Sequence, residues 1–251
     1  METSTEDRQT YAMPSGEALV ASNVDGTTAS VKGPLDLYYQ MLKGLILSSA
    51  YPCVGAKAAI NRGTLRTSLY PAMGSAETTE LLHRDLERFT IERPTMRAPY
   101  CSFVAFFDAP YFSSEEAFDA ALWGQLQMVH EVDAPTHPWD STVSTDPDDP
   151  SFSFSIAGTA YFIVGLHPAS SRFARRFVIP TLVFNAHDQF ETLRAENIFD
   201  RLKTTIRSRD INLQGSINPN LVDFGEISEA RQYSGIKHDD AWKCPFHNVK
   251  R

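Results

Sequence analysis

Phe152-Ser153-Phe154-Ser155-Ile156-Ala157-Gly158-Thr159-Ala160-Tyr161-Phe162-Ile163-Val164-Gly165-Leu166 is the stretch whose reading decides the fold. Its first five residues alternate phenylalanine or isoleucine with serine, the period-two pattern of a strand with one apolar face. From Thr159 to Leu166 the run is apolar enough for a central strand, and Ala157-Gly158 between the two suits a tight hairpin. Tyr100–Phe107 (YCSFVAFF) and Pro180–Asn185 (PTLVFN) read as further strands.

Helical spacing appears on both sides of this core. Leu35, Tyr38, Tyr39, Leu42 and Leu45 recur at helical intervals, and a small-residue helix is expected from Lys57 to Ile60. Glu77 to Phe89 is amphipathic through Leu81, Leu82, Leu86 and Phe89. Ser113 followed by Glu116 resembles a capping box. It opens a helix with Phe118, Leu122, Leu126 and Val129 on one face, and with Glu115, Glu116, Asp119 and Gln125 expected towards water. A long helical region runs from His187 to about Arg209. Strands and helices interleave without a regular βαβ repeat, so the expected architecture is one α+β domain over residues 35–251, a small and mostly antiparallel sheet flanked by helices. Residues 1–34 carry few large apolar groups and are expected to form a disordered tail.

With 251 residues and 42% hydrophobic content the chain can bury a proper core. Its net charge of −8 argues against nucleic acid as a partner. No apolar run approaches the roughly 20 residues of a membrane span, and the first residues lack the pattern of a secretory signal. Cys53, Cys101 and Cys244 are odd in number and far apart, which fits a reduced, cytoplasmic protein better than a disulfide framework.

Three places carry residues with chemical potential. Asp133–Pro150 (DAPTHPWDSTVSTDPDDP) has no periodicity, yet Trp139 and His137 favour an ordered loop; its aspartates lack the ligand spacing of a calcium loop. The strand ending at Leu166 runs into His167-Pro168 and then Arg172, Arg175 and Arg176. That cluster reads either as a solvated face with scattered ion pairs or as an anion clamp. The third is Trp242-Lys243-Cys244-Pro245-Phe246, expected as an arm folded back with one sulfur in an apolar setting. Cys53, near a helix start, is expected to have a lowered thiol pKa.

The stretches YPCVGA, HPWDSTVSTDPDDPSFSFSIAGTAYFIVGLHPASSRFARRF, PTLVFNAHDQFETLR, IRSRDINLQGSINPN, EARQYSG and WKCPF resemble the YqcI/YcgG family from about Tyr51 to Phe246. The resemblance implies a haem-dependent N-oxygenase that hydroxylates, or further oxidises, an amine or guanidine nitrogen of an amino-acid-like molecule such as arginine, as in antibiotic and toxin biosynthesis. It also implies haem b (iron protoporphyrin IX) as cofactor and O2 or peroxide as co-substrate. The chain shows no flavin or nicotinamide motif, so an external reductase is expected.

Under that reading Cys244 is the first choice for axial ligand, since a thiolate favours O–O cleavage, with Trp242 beside it to tune the sulfur. His167 is the alternative and Cys53 the third. Arg172, Arg175 and Arg176 are the candidate partners of the haem propionates. His137 and Asp140 are candidates for the distal or substrate side, Asp140 as a seat for a cationic nitrogen. Asp140 and Asp146 read equally well as residues that begin turns. Asn185, His187, Gln189 and Gln214 lie in the matching motifs without an assigned role. Two rival readings stand: a non-enzymatic haem-binding or sensing protein, and a hydrolase using Cys53 with His137 or His167 as base.

Overall fold

The computed structural model describes residues 20–22, 28–30, 32–195, 199–216 and 225–249. In chain order these form β1 (Val20–Ser22), β2 (Thr28–Ser30), α1 (Pro34–Leu47), α2 (Val54–Arg62), β3 (Leu65–Ala72), α3 (Ala76–Glu92), β4 (Ser102–Ala109), α4 (Glu115–Asp133), β5 (Phe154–Ile156), β6 (Thr159–Leu166), β7 (Thr181–Ala186), α5 (Asp188–Ala195) and α6 (Phe199–Gln214). Short 3-10 turns cover Arg93–Met96, Phe173–Arg175 and Glu229–Gln232. Most of the tail expected over residues 1–34 lies outside the described residues; within it β1 and β2 pair antiparallel. Asn218 and Pro219, within the resembling stretch IRSRDINLQGSINPN, also lie outside.

Five strands make one sheet in the order β3-β4-β7-β6-β5. Only β3 and β4 run parallel, joined through α3 as a parallel connection requires; the other three pairings are antiparallel. The protein is thus a single α+β domain with a mostly antiparallel sheet. Ala157 and Gly158 take positive φ, 50° and 71°, the conformation of a two-residue hairpin turn matched to strand twist. Ile156 therefore pairs with Thr159. β5 is shorter than the serine–phenylalanine alternation: Phe152 forms a single bridge with Ser144 instead.

Alternation along β4 divides the core in two. Phe103, Ala105 and Phe107 face α3 and α4, with Leu82, Leu86, Leu122 and Leu126. Val104 and Phe106 face α1 and α2, with Leu42, Ile46 and Ile60. Both faces of the sheet are covered, which is why β6 is apolar almost throughout.

Two local expectations are corrected. The N-cap of α4 is Ser114, whose hydroxyl accepts from Ala117 N, not Ser113. Asp119 and Gln125 of α4 are buried rather than solvated. Gln125 is wholly enclosed because α3 packs along that side: Gly74 N donates to its Oε1 at 2.8 Å, and its Nε2 donates to Thr79 Oγ1 at 2.9 Å. The helical region after His187 is two described helices, α5 and α6.

Candidate functional site

His167 follows the last residue of β6 and is wholly buried. Its backbone is fixed on both sides, its N–H donating to Arg175 O and its carbonyl accepting from Phe177 N. The ring stacks on Phe118 of α4, centroids 4.2 Å apart. Neither Nδ1 nor Nε2 has a hydrogen-bond partner among the described residues. Burial pushes its pKa down to about 4, so at neutral pH the imidazole is uncharged and carries a free lone pair. An unpaired buried polar atom costs roughly 1–3 kcal/mol, a cost that other buried side chains such as Trp123 and Thr78 also carry here.

The three arginines beside it do not converge as one clamp. Arg172 is buried against α6, donating to Asp210 Oδ2 at 2.5 Å and to Ser216 Oγ and O at 3.1 Å. Arg175 is buried too and donates to Tyr233 O at 2.8 Å; burial lowers even its pKa, to about 10. Gly235, with φ of 90°, admits this side chain, since a Cβ there would lie 2.6 Å from Arg175 Cδ. Only Arg176 is exposed: its Nε donates to Ser170 O and its guanidinium lies over Phe173. Arg176 also borders an apolar groove of about 320 Å³ lined by Met41, Leu45, Pro168, Phe177 and Val178.

The Asp133–Pro150 loop is ordered, as its tryptophan implied. Trp139 Nε1 donates to Ser144 O, and its ring packs against Phe152, Phe154 and Phe246. Asp140 Oδ1 accepts from Thr142 N and Oγ1, and Oδ2 from Ala160 N. Burial opposes ionisation, but these donors outweigh it and hold the carboxyl below the usual carboxylate range. Asp140 therefore pins its loop to β6, which is the turn-forming role the sequence also offered for it. Asp146 accepts from Asp148 N at 3.0 Å, a turn-forming contact. His137 turns the other way, its Nδ1 2.9 Å from Asp133 Oδ1.

Cys244 lies in the folded-back arm, 7% exposed within the main core. Burial pushes its thiol up to about 12. Trp242 stacks on His238 with centroids 3.8 Å apart and carries Arg231 over its face. A groove of about 250 Å³, with Asp148, Glu226 and Arg231 on its walls, borders Trp242 and Lys243. Cys53 is the N-cap of α2 and accepts from Ala56 N, but burial raises its thiol pKa, contrary to the expectation of a lowered one.

Measured against a haem, these parts fit unevenly. His167 offers an orphaned, neutral nitrogen, and Arg176 an outward guanidinium beside an apolar groove. Cys244 must first lose a proton that burial holds tightly. Arg172 and Arg175 are already committed to Asp210, Ser216 and backbone carbonyls. Asn185, Gln189 and Gln214 prove to be internal clamps: Asn185 bonds Ser102 and Phe162 O, Gln189 accepts from Cys101 N, and Gln214 ties Phe173 N and Ser171 O.

The sequence reading passed over His83, which lies 2.8 Å from the same Asp133 oxygen as His137. His83 and Glu87 are four residues apart on α3, as Asp133 and His137 are at the end of α4. Those paired spacings were the available signal.

A family model described as the YqcI/YcgG family matches residues 42–247. The uncharacterized protein YqcI of Bacillus subtilis (strain 168) is 26% identical over 212 residues, 80% of this chain and 82% of that protein. No solved structure matches the chain.

Proposed function

The chain belongs to the YqcI/YcgG family, and on that premise we propose that it is a haem-dependent N-oxygenase acting on an amine or guanidine nitrogen of an amino-acid-like small molecule. The observation that carries the reading is His167, fully buried, with neither ring nitrogen hydrogen-bonded among the described residues. Haem, when bound, supplies the activation of O2 or peroxide, with electrons from an external reductase.

The chain's own contribution begins with the ligand. His167 is neutral across the physiological range, so it needs no deprotonation to donate a lone pair, whereas Cys244 does. On that ground we take His167 before Cys244 as the ligand, where the sequence suggests the opposite order. Phe118 holds the ring in one plane from α4, and the two backbone bonds on either side fix its position. Arg176 at the groove rim suits a propionate carboxylate, while Arg172 and Arg175 brace the loop that carries it.

Purification with added haem precursor tests this directly. A Soret band is expected, with a histidine-type ferrous–CO spectrum that survives Cys244→Ser and is lost in His167→Ala. A thiolate-type spectrum abolished by Cys244→Ser would return the ligand to Cys244, and no Soret band would remove the haem reading. Turnover of arginine, lysine or small amines with a reductant then separates an oxygenase from a haem sensor.

A further inference from the structure

On the side of the molecule where α3 meets the end of α4, two imidazoles and a carboxylate converge away from His167 and Cys244. His83 Nε2 is 2.8 Å and His137 Nδ1 is 2.9 Å from the same oxygen, Asp133 Oδ1. One ligand atom from each of the three residues lies within 4.8 Å of the others, and no other such group of three or more is found among the described residues. Ala157 N also donates to Asp133, 3.0 Å from Oδ1 and 3.2 Å from Oδ2.

That oxygen is overcommitted. Three nitrogens lie within 3.0 Å of Asp133 Oδ1, whereas one carboxylate oxygen offers two lone pairs. A cation between the three side chains would relieve the crowding, because it takes one lone pair in place of two N–H groups. Around a tetrahedral ion bonded at about 2.1 Å, neighbouring ligand atoms stand about 3.4 Å apart, so the 2.8 and 2.9 Å contacts to Asp133 need open only slightly to admit it. Two histidines and one carboxylate leave further positions open, the donor set of first-row divalent metals.

The surroundings suit such a site. Asp133 is nearly enclosed, its side chain 4% exposed, while His83 and His137 are 13% and 24% exposed. The ion would thus be held from inside and reached from solvent. Thr136 N and His137 N both donate to Asp133 O, fixing the turn that brings His137 round. Glu87 Oε1 lies 3.4 Å from His137 Nε2. With Nδ1 on the metal, the N–H of a neutral His137 ring sits on Nε2, facing Glu87, and that of a neutral His83 ring on Nδ1. A carboxylate behind a ligating histidine fixes its tautomer in this way.

We infer that His83, Asp133 and His137 form a binding site for one first-row divalent metal ion of the zinc type, with Glu87 orienting His137. The site uses none of the residues proposed above to hold the haem, and it gives His137, a candidate for the distal or substrate side on sequence, a different role.

The test is titration of the untagged, chelator-treated full chain with Zn2+, alongside Co2+ as a spectroscopic probe. One equivalent of Zn2+ should remain bound after gel filtration, and Co2+ should give ligand-field bands. Glu87→Gln should weaken binding by about 10–100-fold, and His83→Ala and His137→Gln should each weaken it by more. X-ray absorption of the zinc-loaded wild-type chain should show only nitrogen and oxygen neighbours, a readout that requires no variant to fold. No retained zinc, a sulfur neighbour, or unchanged affinity in folded His83 and His137 variants would overturn the assignment. Haem content is read separately from the Soret band, so failure of either proposal leaves the other standing.

Discussion

Glu229 shows what burial does to a single residue here. It sits in the short turn Glu229–Gln232, 4% exposed, accepting a 2.6 Å hydrogen bond from the Tyr233 hydroxyl. Burial pushes its pKa from 4.5 up to about 8. The folded state therefore holds a proton that the unfolded chain releases, and stability falls as pH rises from about 4.5 towards 8. His167, held neutral with a pKa of about 4, acts in the opposite sense below 6.5. Between pH 6.5 and 8 the glutamate effect stands clear. We expect urea unfolding to show a loss on the order of 1–2 kcal/mol over that interval, flattened in Glu229→Gln. A slope unchanged by the substitution would contradict the assignment. Nothing in the stretch Ser228-Glu229-Ala230-Arg231-Gln232-Tyr233 announces a buried acid, because its surroundings come from β5 and β6.

Among the elements, the C-terminal arm was legible and β3 was not. Two aromatics around Cys244-Pro245 are too apolar for a free end, and the arm does fold back. Phe246 is 1% exposed, ringed by His130, Trp139, Phe152 and Phe154. His247 N and Val249 N donate to Gln127 Oε1 and His130 Nε2 of α4. Phe246→Ala should therefore cost about 3–5 kcal/mol, read as a fall in Tm, and deletion from Trp242 onward should cost more. An arm that merely rested on the surface would leave Tm unchanged. β3 (Leu65–Ala72) escaped notice because it is an edge strand with mixed polarity and a proline, Pro71. Its partner β4 is reached only after the whole of α3, so its pairing leaves no local trace. The polar face expected of α4 holds at Glu116 but not at Asp119 and Gln125, because periodicity marks one apolar face and here α3 covers Gln125 as well.

At the scale of the whole molecule, one sheet carries two cores, so neither face can come apart alone. Leu42 of α1 and Leu86 of α3 lie on opposite faces, both essentially enclosed. Leu42→Ala and Leu86→Ala should each lower stability by about 2–5 kcal/mol within one cooperative transition, near- and far-UV circular dichroism moving together. Separate transitions in the two variants would show that the faces unfold independently. The sequence by itself determined the hairpin at Ala157-Gly158, the strand and helix patterns around it, and an aromatic arm that had to pack. Those features depend on neighbours within a few residues, where alternation, spacing and turn chemistry act directly. Only the tertiary structure decided which polar groups met: His83 and Asp133 across 50 residues, Arg172 and Asp210 across 38, and His167 with no hydrogen-bond partner for its ring among the described residues. Such meetings follow from how helices lie on the two faces of the sheet, and a polar side chain takes its chemistry from what burial leaves beside it.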